Sequence, residues 1–210
     1  MWRGLHAHLC RGCGVIHTVS LDQIPSQSWR NGGGSTQELL TWPSPDDWAV
    51  RMSVARIEQN GPFSAYPGVE RWFAVLRGEG VLLRFGLAET VQRADSLPLR
   101  FGGVTAPECE LLSDATQDLN LMVRHLAGRG EMKLVKAGEP WASVAQLRAV
   151  FTAEPATLIV DDHDETLLPA DSLAWSDEVG AQTWELKGVA GGATVRAWWL
   201  AFTGVTSEHA

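Results

Sequence analysis

Arg71-Trp72-Phe73-Ala74-Val75-Leu76-Arg77-Gly78-Glu79-Gly80-Val81 is the stretch that decides the fold. It reads as strand, Gly-x-Gly turn, strand: aromatic and β-branched residues suit a pleated, half-buried run, and glycine supplies the backbone freedom of a tight reversal. Further along, Asp95-Ser96-Leu97-Pro98-Leu99 follows it. A second region repeats this style. The apolar run 156–160 passes through a polar turn into Leu167-Leu168-Pro169-Ala170-Asp171-Ser172-Leu173-Ala174-Trp175. In both regions a strand, a turn and an Asp-Ser-Leu string fold a hairpin back on itself, as small β-barrels do. The chain therefore reads as all-β, two similar barrels packed together.

Working outward, short apolar runs are broken by Gly, Pro, Asn and Asp, with no long helical stripe. Candidate strands are 36–42, 48–57, 71–76, 81–85, 108–112, 118–126, 133–136, 147–151, 157–160, 182–186 and 194–202. Helix is confined to a turn or two around residues 141–146. The string Leu126-Ala127-Gly128-Arg129-Gly130 is the best boundary. It divides a first barrel over 15–127 from a second over 128–206, with 1–14 as an N-terminal extension.

The 210 residues are 45% hydrophobic and 20% charged, which fits a globular chain and excludes wholesale disorder. Lys and Arg total 17 against 25 Asp and Glu, a net charge of −8, so nucleic acid is not expected as a partner. No apolar run approaches the roughly 18 residues of a membrane span, and the first residues lack the apolar stretch of a secretory signal. Cysteines are sparse and odd in number, Cys10, Cys13 and Cys109, which argues against a disulfide framework and for a reducing, cytoplasmic compartment.

Strand alternation selects the chemistry. In 48–57, Val50, Met52 and Val54 share one face and Arg51, Ser53 and Ala55 the other. In 118–126, Leu119, Leu121 and Val123 oppose Asn120, Met122 and Arg124. Arg71 begins a third strand. If the polar faces line a barrel interior, their guanidiniums converge on a pocket suited to a carboxylate, with Ser or Asn for orientation. The alternative is an ordinary antiparallel sheet with one solvated face. Trp29-Arg30-Asn31-Gly32-Gly33-Gly34-Ser35-Thr36 either brings backbone amides close to an anion or is a flexible lead-in to a strand; it lacks the spacing and Lys of a P-loop. Gly61 to Gly68 is turn chemistry around Phe63 and Tyr66, a rigid loop or a pocket wall. His6, His8, Cys10 and Cys13 are four potential zinc ligands crowded into eight residues, a cramped geometry. Residues 161–165, three Asp, one His and one Glu, read as a solvated turn.

Three strings together, WRNGGGSTQEL, WAVRMSVARIEQNGPFSAYPGVERWFAVLRGEG and DLNLMVRH, resemble the HutD/Ves family. They span most of the first two-thirds of the chain. The resemblance implies a double-cupin fold (bicupin, RmlC-like jelly-roll barrels) with little helix, in a cytoplasmic bacterial protein associated with histidine utilisation. It implies binding of a carboxylated pathway metabolite, such as urocanate or formylglutamate, and no established catalytic activity. Carried over by position, its motifs fall on Arg30, Asn31, Thr36, Arg51, Ser53, Phe63, Ser64, Arg71, Asn120, Met122 and Arg124 as the ligand-binding set. His125 stands where a second Arg is common. Metal-binding cupins use an HxH set, and residues 68–80 contain no His, so no metal and no cofactor are expected.

The expected protein is thus a metal-free binder of a small carboxylated metabolite, without nucleic-acid or membrane partners and with a homodimer left open. One alternative is a metal-free cupin enzyme, an isomerase or amide hydrolase, using Glu38 or Glu58 as general base. Another is an interaction protein docking through a Trp-rich second barrel that includes Trp198 and Trp199.

Overall fold

A computed structural model describes residues 15–189 and 195–205, together with the backbone of His6–His8. Among the described residues there is no α-helix; one 3-10 turn covers Leu21–Gln23. Contacts divide the chain into two compact units, residues 24–130 and residues 1–23 with 131–210.

The unit formed by 24–130 contains β3 (Gln27–Ser28), β4 (Gly34–Trp42), β5 (Val50–Ile57), β6 (Gly61–Pro62), β7 (Val69–Arg77), β8 (Val81–Phe85), β9 (Ala88–Gln92), β10 (Leu99–Gly102), β11 (Glu108–Leu111) and β12 (Thr116–Arg124). They make a six-stranded sheet, β10-β7-β12-β5-β4-β3, and a four-stranded sheet, β6-β11-β8-β9. The deciding stretch is the β7–β8 hairpin. Gly78 and Gly80 take φ of 93° and 99°, and a Cβ at Gly80 would lie 2.1 Å from the Gln92 carbonyl, so glycine is required there. Ile57, Phe73, Val75, Val81, Leu83 and Cys109 form one apolar core of this barrel.

The other unit contains β1 (His6–His8), β2 (Ile16–Ser20), β13 (Gly128–Leu134), β14 (Trp141–Ser143), β15 (Leu147–Thr152), β16 (Ala156–Val160), β17 (Asp164–Leu168), β18 (Ser172–Ser176), β19 (Gln182–Gly188) and β20 (Ala197–Gly204). Its sheets are β1-β2-β18-β15-β20-β13 and β14-β19-β16-β17. The strand plan of the first barrel recurs: β18-β15-β20-β13 follows β10-β7-β12-β5, and β14-β19-β16-β17 follows β6-β11-β8-β9. The additions differ. β4 and β3 extend the first barrel beyond β5, whereas β2 and β1 extend the second beyond β18.

Several sequence readings are corrected. Residues 15–23 do not belong to the first barrel, because β2 pairs antiparallel with β18, Thr18 opposite Ala174. The helical turn expected at 141–146 is β14, held in register with β19. Within 161–165 only the first part is a turn. Asp161 and Asp162 take φ of 50° and 60°, and Asp164 and Glu165 already pair on β17. No helix among the described residues is long and apolar enough to cross a membrane.

Candidate functional site

The inward face of the six-stranded sheet in the first barrel lines a cavity of about 520 Å³, within the range of small-molecule sites. Register assembles it. On β5 and β12, Ser53 lies opposite Asn120 and Arg51 opposite Met122; on β7, Arg71 lies opposite Met122. Period-two alternation therefore delivers all five side chains to one side. Asn31, Thr36, Phe63, Ser64 and Arg30 complete the part of the lining that sequence anticipates. The other face of the sheet is also withdrawn from water: Val50, Met52, Leu119, Leu121 and Val123 are buried. The solvated-face alternative is thus excluded for these strands.

Arg124 is the exception. It is on the face that alternation assigns but at the last position of β12, outside the lining. Its Nη1 donates to Asp47 Oδ1 at 2.9 Å and its guanidinium sits 4.8 Å from the centre of the Trp48 ring. The strand ends there, and the loop before β5 takes the side chain.

Arg71 is the central cation. It is buried, and its guanidinium stands 5.2, 5.7 and 5.1 Å from the ring centres of Phe63, Tyr66 and Phe101. These rings favour the positive charge without neutralising it. Nη2 donates to Asn120 Oδ1 at 3.2 Å, Nη1 reaches the Ser64 carbonyl at a long 3.5 Å, and Nε has no partner. Burial lowers its pKa foremost, Asp118 and Tyr66 oppose that shift, and Arg51 adds to it. Arg51 is half-buried, with Nε 2.6 Å from Glu38 Oε2 at an angle too bent for a hydrogen bond. A bulge at Leu39 brings Thr41 beside Glu38, whose Oε1 accepts from the Thr41 hydroxyl at 2.8 Å. Glu38 therefore serves Arg51 and is outside the lining, and Glu58 pairs with Arg56 at 2.9 Å on the surface.

The acid inside the cavity is one the sequence reading missed, Asp118. It lies two residues before Asn120 on β12, so the same alternation extended by one step finds it. β7 carries a bulge opposite this point, where pairing shifts between Gln117 and Asp118. Asp118 is buried. Its Oδ1 accepts from Asn120 Nδ2, and its Oδ2 has no partner. Burial pushes its carboxyl up to about 7, against the opposing pull of the Asn120 amide and Arg71. On the neighbouring β11, burial foremost and Asp118 next push the Cys109 thiol up to about 12, so it is a protonated core residue and no nucleophile.

The Gly32–Gly34 loop does not present an anion-binding nest. Gly32 N–H donates to the Trp29 carbonyl at 3.0 Å and Gly33 N–H to Asn31 Oδ1 at 3.1 Å. The close approach is to β5, since a Cβ at Gly34 would lie 2.2 Å from the Arg56 carbonyl. The loop instead delivers Trp29 and Asn31 to the cavity, and Trp29 Nε1 donates to Thr36 Oγ1 at 2.8 Å. The loop after β6 is a pocket wall, contributing Phe63, Ser64 and Tyr66.

A transition-metal site needs several His, Cys or carboxylate donors. The lining offers one carboxylate, Asp118, and no His or Cys, so its donor set does not fit a transition metal. Among the described residues there is no cluster of three or more His, Cys, Asp or Glu placed to hold one. Cys10 and Cys13 of the crowded N-terminal set lie outside the described residues, and of His6 and His8 only the backbone is described.

Comparison with known proteins follows the same residues. The HutD family model matches residues 21–193. The chain belongs to the HutD family. A 21.2 kDa protein in the hutC 3′ region of Pseudomonas putida is 35% identical over 112 residues, 51% of this chain and 57% of that protein. Protein Ves of Citrobacter koseri is 36% identical over 104 residues, 49% of this chain and 54% of its own length. The match thus spans little more than half the length of these curated relatives. HutD of Pseudomonas fluorescens SBW25, solved in a formate condition, superposes with a TM-score of 0.79 at 22% identity, covering 91% of this chain and 100% of that one. An oxalate decarboxylase of Lactobacillus farciminis in complex with formate gives a TM-score of 0.60 at 8% identity, over 90% of this chain and 87% of its own. At such identities the likeness establishes the fold alone, and the fold is a double cupin.

Proposed function

We propose that the first barrel of this HutD-family chain binds a small carboxylated metabolite of histidine degradation, urocanate or formylglutamate, and through that binding modulates histidine utilisation. The observation that carries the reading is Arg71, a buried guanidinium aimed along a cavity wall and held by aromatic rings. Its Nε has no partner, its Nη1 has only a long contact with the Ser64 carbonyl, and its one ordinary hydrogen bond runs from Nη2 to Asn120. A buried cation left this open gains most from an anion that accepts two parallel N–H bonds, and a carboxylate has that shape. Arg51 adds a second cation beside Ser53, and Asn120 orients Arg71. The link to histidine breakdown is supported by the relative located in the hutC region.

Calorimetry with urocanate and formylglutamate tests this. One of them is expected to bind, with Arg71→Met weakening affinity about 100-fold and Arg51→Ala by less, since Arg51 shares its charge with Glu38. No heat at millimolar ligand, or an affinity indifferent to Arg71→Met, overturns the proposal.

A further inference from the structure

Resting on that reading of the cavity, we propose that Asp118 binds the ligand as a neutral carboxylic acid, its Oδ2–H donating to an acceptor oxygen of the ligand beside the anion held by Arg71. The cavity thereby selects molecules that carry a carboxylate together with a second acceptor oxygen, a carbonyl or another carboxylate.

The two oxygens of Asp118 are not equivalent. Oδ1 is committed as the acceptor of the Asn120 amide, so a proton on the group belongs on Oδ2. Oδ2 is buried, faces no donor, and belongs to a residue that lines the cavity. A charged oxygen left there would be desolvated and unbonded, which is costly; a hydroxyl there needs only an acceptor, which the protein does not supply. Asn120 also separates the acid from the cation: its Oδ1 takes Arg71 Nη2 at 3.2 Å while its Nδ2 serves Asp118. The amide thus passes Arg71's donor character to Oδ1 and leaves Oδ2 to the ligand.

The other charged or titratable groups around Asp118 are Arg71 on β7, Arg51 on β5, Arg30 and Tyr66 in the wall loops, and the Cys109 thiol on β11. The arginines favour ionisation of Asp118 when the cavity holds no anion. A bound carboxylate cancels that influence and repels an ionised Asp118, so anion binding and protonation support each other. The proton comes from solvent and returns to it on release; no bond other than O–H is made or broken.

The test is calorimetry of the full chain between about pH 6 and pH 8.5, in two buffers of different ionisation enthalpy, with formylglutamate, whose formyl carbonyl and second carboxylate supply the acceptor oxygen, and with urocanate, which lacks one and is expected to bind more weakly. Above pH 7 the ligands' own charges are fixed. With formylglutamate, wild type is expected to lose affinity progressively there, approaching tenfold per pH unit by pH 8.5, and to take up about half a proton on binding at pH 7 and close to one at pH 8.5. Asp118→Asn is expected to bind with an affinity that no longer follows pH and with no proton uptake. Binding whose affinity and proton count are flat in wild type overturns this inference alone. A pH course that persists in Asp118→Asn does the same. If neither ligand gives heat at any pH, the reading of the cavity falls and this inference falls with it. Should Asp118→Asn fail to fold, the proton count of wild type decides.

Discussion

The two barrels share a strand plan and differ in what fills it. On β12 the inward positions are Asp118, Asn120 and Met122, and the space beyond them is a cavity. β20 holds the same place in its sheet, and there Trp199 faces inward, stacked on Trp141 at 4.8 Å and edge-on to Trp184 at 6.3 Å. Val150, Leu158 and Leu186 close the remaining space. The matching strands β7 and β15 each carry an inward arginine, with opposite fates. Both leave Nε buried and unpartnered, but Arg71 lines the cavity and holds only Asn120 Oδ1 at 3.2 Å and, at a long 3.5 Å, the Ser64 carbonyl. Arg148 is fully buried and gives its hydrogen bonds to the backbone carbonyls of Ser143, Gly180 and Glu178. One barrel fills its interior with packed side chains; the other leaves a cavity lined by polar and charged groups. Strand order does not separate them; the side chains placed on matching strands do.

Hollowing the second barrel is the harshest way to break that contrast. Trp199→Ala removes the ring packed against both Trp141 and Trp184, and is expected to cost about 3–5 kcal/mol in chemical denaturation without creating affinity for the metabolites proposed for the first barrel. Retained stability would mean the Trp cluster is not what fills that barrel.

Asp118→Asn sharpens the contrast from the other side. The carboxyl is raised from 3.8 to about 7 on folding, so the folded state holds its proton more tightly than the unfolded one. Its ionisation therefore costs wild type nothing below about pH 4, an increasing amount as pH rises toward 7, and a constant amount above. Each tenfold change in proton affinity is worth about 1.4 kcal/mol, so the variant is expected to gain on the order of 2–4 kcal/mol over wild type at pH 8 and to lose that advantage in acid. Thermal melts of both proteins from pH 4 to 8 check this; parallel curves would show that the acid is not desolvated.

The smallest effect belongs to Arg124→Ala. Its exposed pairing with Asp47 and Trp48 is expected to contribute under about 1 kcal/mol, and metabolite binding is expected to be unaffected, in contrast to Arg71→Met.

That last case marks how far the sequence could be read. Alternation located Arg51, Ser53, Asn120 and Met122, because each lies within a regular stretch whose neighbours fix which way it points, and Arg71 was found as the start of a third strand. It misjudged Arg124, where the strand ends and a loop partner decides. It overlooked Asp118, where an acid at the start of a run looked like a boundary. The glycine loop was legible as a special backbone but not in purpose. Its amides are used internally, and its close approach is to Arg56. Strands β9 and β17 were hidden for another reason: as edge strands with polar, largely exposed sequences, AETVQ and DETLL, they carry little apolar signal. Likewise nothing local in Ile16–Ser20 names its partner, since β18 lies far downstream.

That distant pairing orders events at the ribosome. Residues 24–130 form a unit from one continuous length of chain, free to fold as soon as it has emerged. β2 is made earlier yet pairs with β18 only after Ser172–Ser176 is made, so Ile16–Ser20 waits for that partner through most of translation. The half that carries the cavity is in this sense ready before the half that encloses it in sequence.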